Sequence, residues 1–513
     1  MLMFLARRLM TSVLVVLVST VVMYVLVDIA IDPLEDLRTD TRPGAEDRIA
    51  ARTAMLDLDS PVLLRYLDWL SGASRCLIGS CDLGRDWRTG TPTTELLSGA
   101  VTTTLQLVTV ATLLAIILGV FVGIVSALRQ YSGFDYGLTF VSFVLYSLPT
   151  FWVAVLLKQF LAIKFNDFLD DPQIAWWFHA LVVLGTATVV MAAVGGTVAR
   201  RLRVFGIAAL VSLAVMLYVD LTDFLVTPGL GIVLVAVLGV GMAFGITALS
   251  TGLSDRRSLY ASLTVAALGV ALYYPVLYLW YYVDASWPIV LGLGVLAVLV
   301  GLGVGLAWGG PDRWTVARTA AITALPVAGL LFVDRLMSSW DNYVDHGLIR
   351  GRPISTASRR TPGFDSGFWL NTLDLFGHLL LPTLTLVLIS FASYSRYSRA
   401  STLEVLGQDY IRTARAKGLT ERTVIMRHAF RNALIPLASI VPVDIITLVG
   451  GAVITERIFN WRGMGWLFAN YLDANVIDPI MGYLLVIAIL AVVANFVADL
   501  FYAVLDPRIR VAA

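Results

Sequence analysis

The feature that most limits what this chain can fold into is a run such as residues 9–27, free of charge and overwhelmingly apolar. At about 1.5 Å of rise per residue, such a run reaches across most of a hydrocarbon core roughly 30 Å thick when it is helical. Lipid offers the backbone no hydrogen bonds, so only helices and closed barrels span it. The runs here are continuously apolar and do not alternate, which selects helices. Similar runs recur to the end of the chain. Of the 513 residues 58% are hydrophobic and 14% charged, and the mean hydropathy is +0.82, values that exclude a soluble enzyme. The net charge of +1 gives no global field for nucleic acid. The expected fold class is all-α, a polytopic membrane protein of about twelve transmembrane helices.

In the first span, residues 1–27, Arg7 and Arg8 precede an apolar core from about Leu9 to Val27 that is long for a cleaved signal peptide. The positive-inside rule sets its amino end in the cytoplasm. Residues 28–98 then form a polar extracytoplasmic region and residues 99–165 two further helices, near 101–128 and 138–162, joined by an inner loop at Arg129 and Ser132-Gly133. From 166 to 345 the hydropathy calls for about six more crossings. Loops bearing Arg200, Arg201 and Arg203, then Asp255, Arg256 and Arg257, then Asp312, Arg313 and Arg318 alternate with loops bearing Asp220, Asp223 and Asp284. An even number of crossings returns the chain to the outer side, so 346–513 continue the topology that 1–165 began. Both termini are expected in the cytoplasm of a bacterial inner (plasma) membrane. The segment 166–345 has few ionisable groups inside its spans, which argues against a proton pathway; a peripheral accessory bundle is expected, with a lipid-binding or regulatory role as the minor reading.

One stretch interrupts the apolar pattern. Residues 396–431 carry Arg396, Arg399, Arg412, Arg415, Lys417, Arg422, Arg427 and Arg431. On a single helix Leu403, Leu406, Tyr410 and Ala414 share one arc, with Glu404, Gln408, Arg412 and Arg415 opposite. Ala414, Ala416 and Gly418 are small, and Gly418 suits a left-handed helix end. The spacing predicts helix, turn, helix, serving either to fix topology or to meet a partner.

The run DYIRTARAKGL followed by RHAFRNALIP resembles the cytoplasmic coupling loop of permeases from binding-protein-dependent ABC importers, in their dipeptide and oligopeptide branch. The general signature of such permeases begins Glu-Ala-Ala, keeps a Gly four residues after the second Ala and ends Ile-x-Leu-Pro. Here Arg412, Thr413 and Ala414 stand at its start, Gly418 is kept, and His428 and Phe430 replace Ile and Leu, as is usual in the peptide branch. DSPVLLRYLDWL with DLGRDWRTGTP, GGAVITERIFNWRGMGW, and FVADLFYAVLDPRIR with Asp506, Pro507 and Arg508 also resemble family segments, with Arg462 where the family commonly has Pro. The resemblance covers about residues 1–165 and 345–513. It implies a six-helix permease core and assigns ATPase coupling to Tyr410, Arg412, Thr413, Ala414, Arg415, Ala416, Lys417, Gly418 and Leu419. It further implies a second permease subunit, two cytoplasmic ATPase subunits that hold the ATP and Mg, an extracytoplasmic substrate-binding protein, and a di- or oligopeptide cargo.

The chain itself offers no chemistry. None of the lysines at 158, 164 and 417 follows a glycine, which excludes a G-x-x-x-x-G-K phosphate loop, and the histidines at 179, 346, 378 and 428 form no metal pattern. A transport subunit without its own ATPase site, cofactor or metal is expected. Asp444, deep in an apolar segment with Pro436 and Pro442, either faces the pore and a peptide amino group or bonds a neighbouring helix. Cys76 and Cys81 lie in the outer region, as a small-loop disulfide or as two free thiols. Two other readings remain: a nickel or other small-solute importer of the same branch, and an ion-coupled secondary transporter, for which internal repeats and paired buried carboxylates would be needed.

Overall fold

A computed structural model of the protein describes residues 2–194, 196–310 and 312–505. Among them every extended element is a helix and no strand forms. Nine helices are long and apolar enough to cross a membrane, or up to eleven if each of two bent pairs is one span. One bent pair, Gly133–Ser147 with Thr150–Asp170, turns by 103°, where the sequence suggested a single straight span. Pro149 disfavours helical backbone at Leu148 and starts the second piece as its N-cap. The apolar segment that carries Asp444 is also broken. Ile435–Gly451 has 17 residues, about 26 Å of helix, and the chain then restarts as the short helix Val453–Ile458.

The chain divides into two compact units. The first comprises Met1–Ala162, Thr356–Arg359 and Leu379–Ala513. One end of it is an aromatic cluster in which Tyr24 of the first helix, Tyr66 and Trp69 of the helix Val62–Ser74, and Met464, Tyr471 and Ile480 are all buried. Arg65 pairs with Asp28 at 2.8 Å, and the Tyr66 hydroxyl lies 3.0 Å from that of Thr20, fixing the first helix against the outer segment. The long element of this unit is Thr93–Leu128, 36 residues without a proline. Near its inner half, Cβ atoms added at Gly119 and Gly123 would press within 3 Å of Tyr394 and Ser398. The absence of a side chain there is what lets the helix segment around Tyr394 come so close.

The second unit comprises Ile163–Ser355 and Arg360–His378. The helices Trp287–Trp308 and Arg313–Met337 meet through small residues: a Cβ at Gly301 would stand 2.8 Å from that of Ala324, and one at Gly305 would collide with the backbone of Ala317. With no hydrophobic drive between helices in lipid, this close backbone approach supplies the attraction. Buried hydroxyls of Thr247, Ser262 and Thr323 bond one another across three helices. The unit includes 346–355 and 360–378 because Tyr343, Ile349, Trp369 and Leu373 bury their side chains with Trp280 and Leu336.

Candidate coupling site

The polar stretch is a set of short helices seated on an apolar floor. The helix Phe368–Leu406 stops at Gly407, and a new helix, Asp409–Ala416, begins after Gln408 in extended backbone. That break resets the helical phase. A single continuous arc through Leu403, Leu406, Tyr410 and Ala414 therefore does not form: Tyr410 is exposed, and the floor consists of Ile411, Ala414, Val424 and Ala429, with Val405 and Leu406 packed against it.

The turn that follows is built by capping. Lys417 ends the helix, Gly418 takes φ +75°, its N–H donates to the Arg415 carbonyl at 2.9 Å, and the Leu419 N–H donates to the Ala414 carbonyl at 3.4 Å. This is a Schellman motif with glycine at the left-handed position. Arg415 then reaches forward, with Nε donating to Glu421 Oε2 at 3.2 Å and Nη2 to Oε1 at 2.6 Å. The guanidinium holds the Glu421 carboxyl below its ordinary range, and Glu421 raises Arg415 in return. The Asn432 amide donates to the Tyr410 hydroxyl at 2.8 Å. Arg412, Thr413, Ala416, Lys417 and Leu419 complete an exposed face. The site residues thus form one rigid cationic knob, with Ala414 alone among them in the floor.

Two of the eight basic residues face back into the same unit. The Arg396 guanidinium lies 3.9 Å from the Tyr146 ring centroid. Arg399 grips Asp135 with two bonds, Nε to Oδ1 at 2.6 Å and Nη2 to Oδ2 at 2.9 Å. Asp135 also accepts from the Ser126 hydroxyl and the Tyr131 N–H.

Asp444 lies on Ile435–Gly451, partly buried, next to the hydroxyl of the buried Tyr394 but outside hydrogen-bonding geometry. Cys76 and Cys81 are joined by a disulfide, and Cys76 packs against the aromatic cluster. Arg462 is exposed, its guanidinium 5.5 Å from the Trp466 ring centroid. Asp506, Pro507 and Arg508 lie outside the described residues.

Sequence reasoning missed a second constellation. Glu456, wholly buried, accepts from the Thr104 hydroxyl at 2.6 Å and the Trp466 N–H at 2.8 Å. The Met464 N–H donates to Thr104 Oγ1 at 2.7 Å, and Trp461 Nε1 donates to the Thr103 carbonyl at 3.1 Å. Burial lifts the Glu456 carboxyl to about 7, against the lowering effect of the bonds from Thr104 and the N–H groups of Trp466 and Gly465. The ITERIF and NWRGMGW segments supplied the only sequence signal.

Spans crowded with small residues, buried polar ties and an exposed cationic knob define a multi-pass helical membrane protein. Residues 115–511 match the family described as the binding-protein-dependent transport system inner membrane component, and the chain belongs to that family. It is a transmembrane permease subunit of the ABC importer type, which sets aside the ion-coupled secondary transporter. It is similar to the oligopeptide transport system permease protein OppB of Mycobacterium tuberculosis, 36% identical over 230 residues that cover 42% of this chain and 67% of the relative. It is similar to the dipeptide transport system permease protein DppB of Escherichia coli, 34% identical over 237 residues, 43% of this chain and 70% of the relative. The oligopeptide transport system permease protein AppB of Bacillus subtilis is 44% identical over 140 residues, 27% of this chain and 44% of that one.

Proposed function

We propose that this chain forms, with a second permease subunit, the pore of an ATP-driven importer of di- or oligopeptides, and that the knob from Tyr410 to Leu419 is where a cytoplasmic ATPase subunit engages. The observation that carries the reading is the knob's construction. Ile411 and Ala414 anchor it from below, while Arg412, Arg415, Lys417 and Leu419 remain exposed. A force applied to such a face passes to the helices beneath and is not lost in a mobile loop. Two ATPase subunits would bind and hydrolyse ATP with Mg, and an extracytoplasmic binding protein would deliver cargo. Peptide is favoured over nickel or another small solute by the peptide-transport names of the relatives and by the peptide-branch form of the motif at His428 and Phe430. Asp444, beside Tyr394, would meet the cargo's amino group.

The test is peptide-stimulated ATPase activity and peptide uptake of the co-purified complex in lipid. Gly418→Trp, which places a bulky side chain at a left-handed position, and Arg415→Glu, which sets two carboxylates against each other, are expected to abolish ATPase association or its peptide stimulation. Asp444→Asn is expected to lower uptake with assembly intact. Wild-type stimulation in both knob variants would remove the coupling assignment, and unchanged uptake in Asp444→Asn would remove the pore assignment.

A further inference from the structure

The second unit carries a groove that the permease reading does not use. Because Gly301 and Gly305 bring Trp287–Trp308 and Arg313–Met337 into backbone contact, the larger side chains beside that seam stand apart as walls. Val298 and Leu302 form one wall, Ile322 and Leu325 the other, Ala321 the floor, and Trp314 and Arg318 close one end around about 430 Å³. That volume lies within the range of roughly 300–1,000 Å³ seen for ligand sites. Ile322 is 50% exposed and Leu325 56% exposed, so the groove opens outward along a helix pair that spans the membrane.

Its single charged group is Arg318, which is exposed and makes no ion pair among the described residues. The surrounding end of this unit is basic. Arg256 and Arg257 open the helix Arg256–Ala271, Arg313 opens its own helix, and Arg257 Nη1 donates to the Gly309 carbonyl at 3.0 Å. Asp255 is engaged in capping, accepting from the Ser258 hydroxyl at 2.6 Å. Trp308 stands at the same end, its Nε1 donating to Thr264 Oγ1 at 3.0 Å and its ring 5.6 Å from that of Tyr260. Arginines with Trp and Tyr at one level mark the headgroup region of a bilayer, with the Arg side charged toward the cytoplasm. From Arg318 to Leu325 the groove then runs about 10 Å into the hydrocarbon.

We infer that this groove holds one anionic phospholipid, its phosphate on Arg318 and an acyl chain between Leu302 and Leu325. Charge selects the lipid: with Asp312 exposed beside Arg313 and Asp255 engaged in capping, four arginines against two carboxylates leave this end positive, which favours a net-negative headgroup over a zwitterionic one. The occupant is held longer than the exchanging layer around the protein, because side chains flank its chain along the open groove and Arg318 holds its phosphate.

The test reconstitutes the full chain in nanodiscs holding phosphatidylglycerol and phosphatidylcholine, and counts by native mass spectrometry the lipid that stays bound after detergent release. The native chain is expected to retain a single phosphatidylglycerol. Arg318→Gln should lower that retention about fivefold. Ile322→Trp, which fills the groove and leaves the charge in place, should lower it as much, whereas Arg203→Gln, an arginine outside the groove, should not. Retention of phosphatidylcholine equal to that of phosphatidylglycerol, or undiminished retention in both groove variants, would overturn the assignment. Ile322 is on the open rim, so its variant reports on the groove even where Arg318→Gln unsettles the fold.

Discussion

Each compact unit has its own mix of contacts. In the first, groups far apart in sequence are joined by polar bonds: Asp135 with Arg399, Thr104 with Glu456, Thr103 with Trp461. In the second, polar ties recur, Asp334 accepting from the Tyr273 hydroxyl and the N–H groups of Leu230 and Gly231, but the pair Trp287–Trp308 and Arg313–Met337 closes through glycine on alanine. Buried charge is costly unless its geometry is fully satisfied, and it therefore allows one arrangement. A seam of small residues carries no charge and asks only that its small side chains be kept. The contrast sets a charged tie in the unit that carries the knob against an uncharged seam in the second unit.

The sharpest way to break that contrast is Asp135→Ala. It strands the Arg399 guanidinium and leaves the Ser126 hydroxyl and the Tyr131 N–H without their acceptor. A loss of about 3–5 kcal/mol is expected, read from thermal unfolding of the full chain in lipid. A change below about 1 kcal/mol would make the pair an ordinary surface one.

Glu456 comes next, through its pH dependence. Its folded-state value of about 7 lies above the ordinary 4.5, so the folded protein holds a proton that the unfolded chain releases. The resulting stability is fully present below the unfolded value, declines as pH rises through the folded one, and levels off above it. The melting temperature of the native chain should fall between about pH 5 and about pH 8, by the equivalent of on the order of 3 kcal/mol, and Glu456→Gln should flatten that slope. An unchanged slope in the variant would move the titration elsewhere.

The smallest effect belongs to the second unit. Gly305→Leu drives a side chain into the Ala317 backbone, whereas Gly303→Leu, two residues away on the same helix, enters open space. The first should cost about 1–3 kcal/mol and lower hydrogen-exchange protection across 287–337; the second should leave it unchanged. Equal effects would show that the glycine seam has no packing role.

Much of this was legible in the chain. Apolar runs marked the helices, Gly418 its left-handed turn, and the basic stretch its exposure. Local rules stopped at Gly407, where a helix break shifted the buried positions from Tyr410 to Ile411. They also stopped at Pro149, where a span bent. The ties of Asp135 and Glu456 were out of reach for a different reason. Their partners lie 264 and 352 residues away, and no periodicity links residues so far apart. Arg399 therefore counted among the basic residues of the loop when its partner is inside the unit.

The helix Thr93–Leu128 touches both ends of this story. Toward its amino end Thr103 and Thr104 serve the Glu456 constellation, and near its carboxyl end Ser126 bonds Asp135. It has no proline to absorb a displacement, so along its roughly 54 Å a push at one end arrives at the other. Where it passes Tyr394 and Ser395 it presents Gly119 and Gly123, and the Ser398 hydroxyl donates to the Val120 carbonyl at 3.2 Å, so the two helices are locked together and move as one strut.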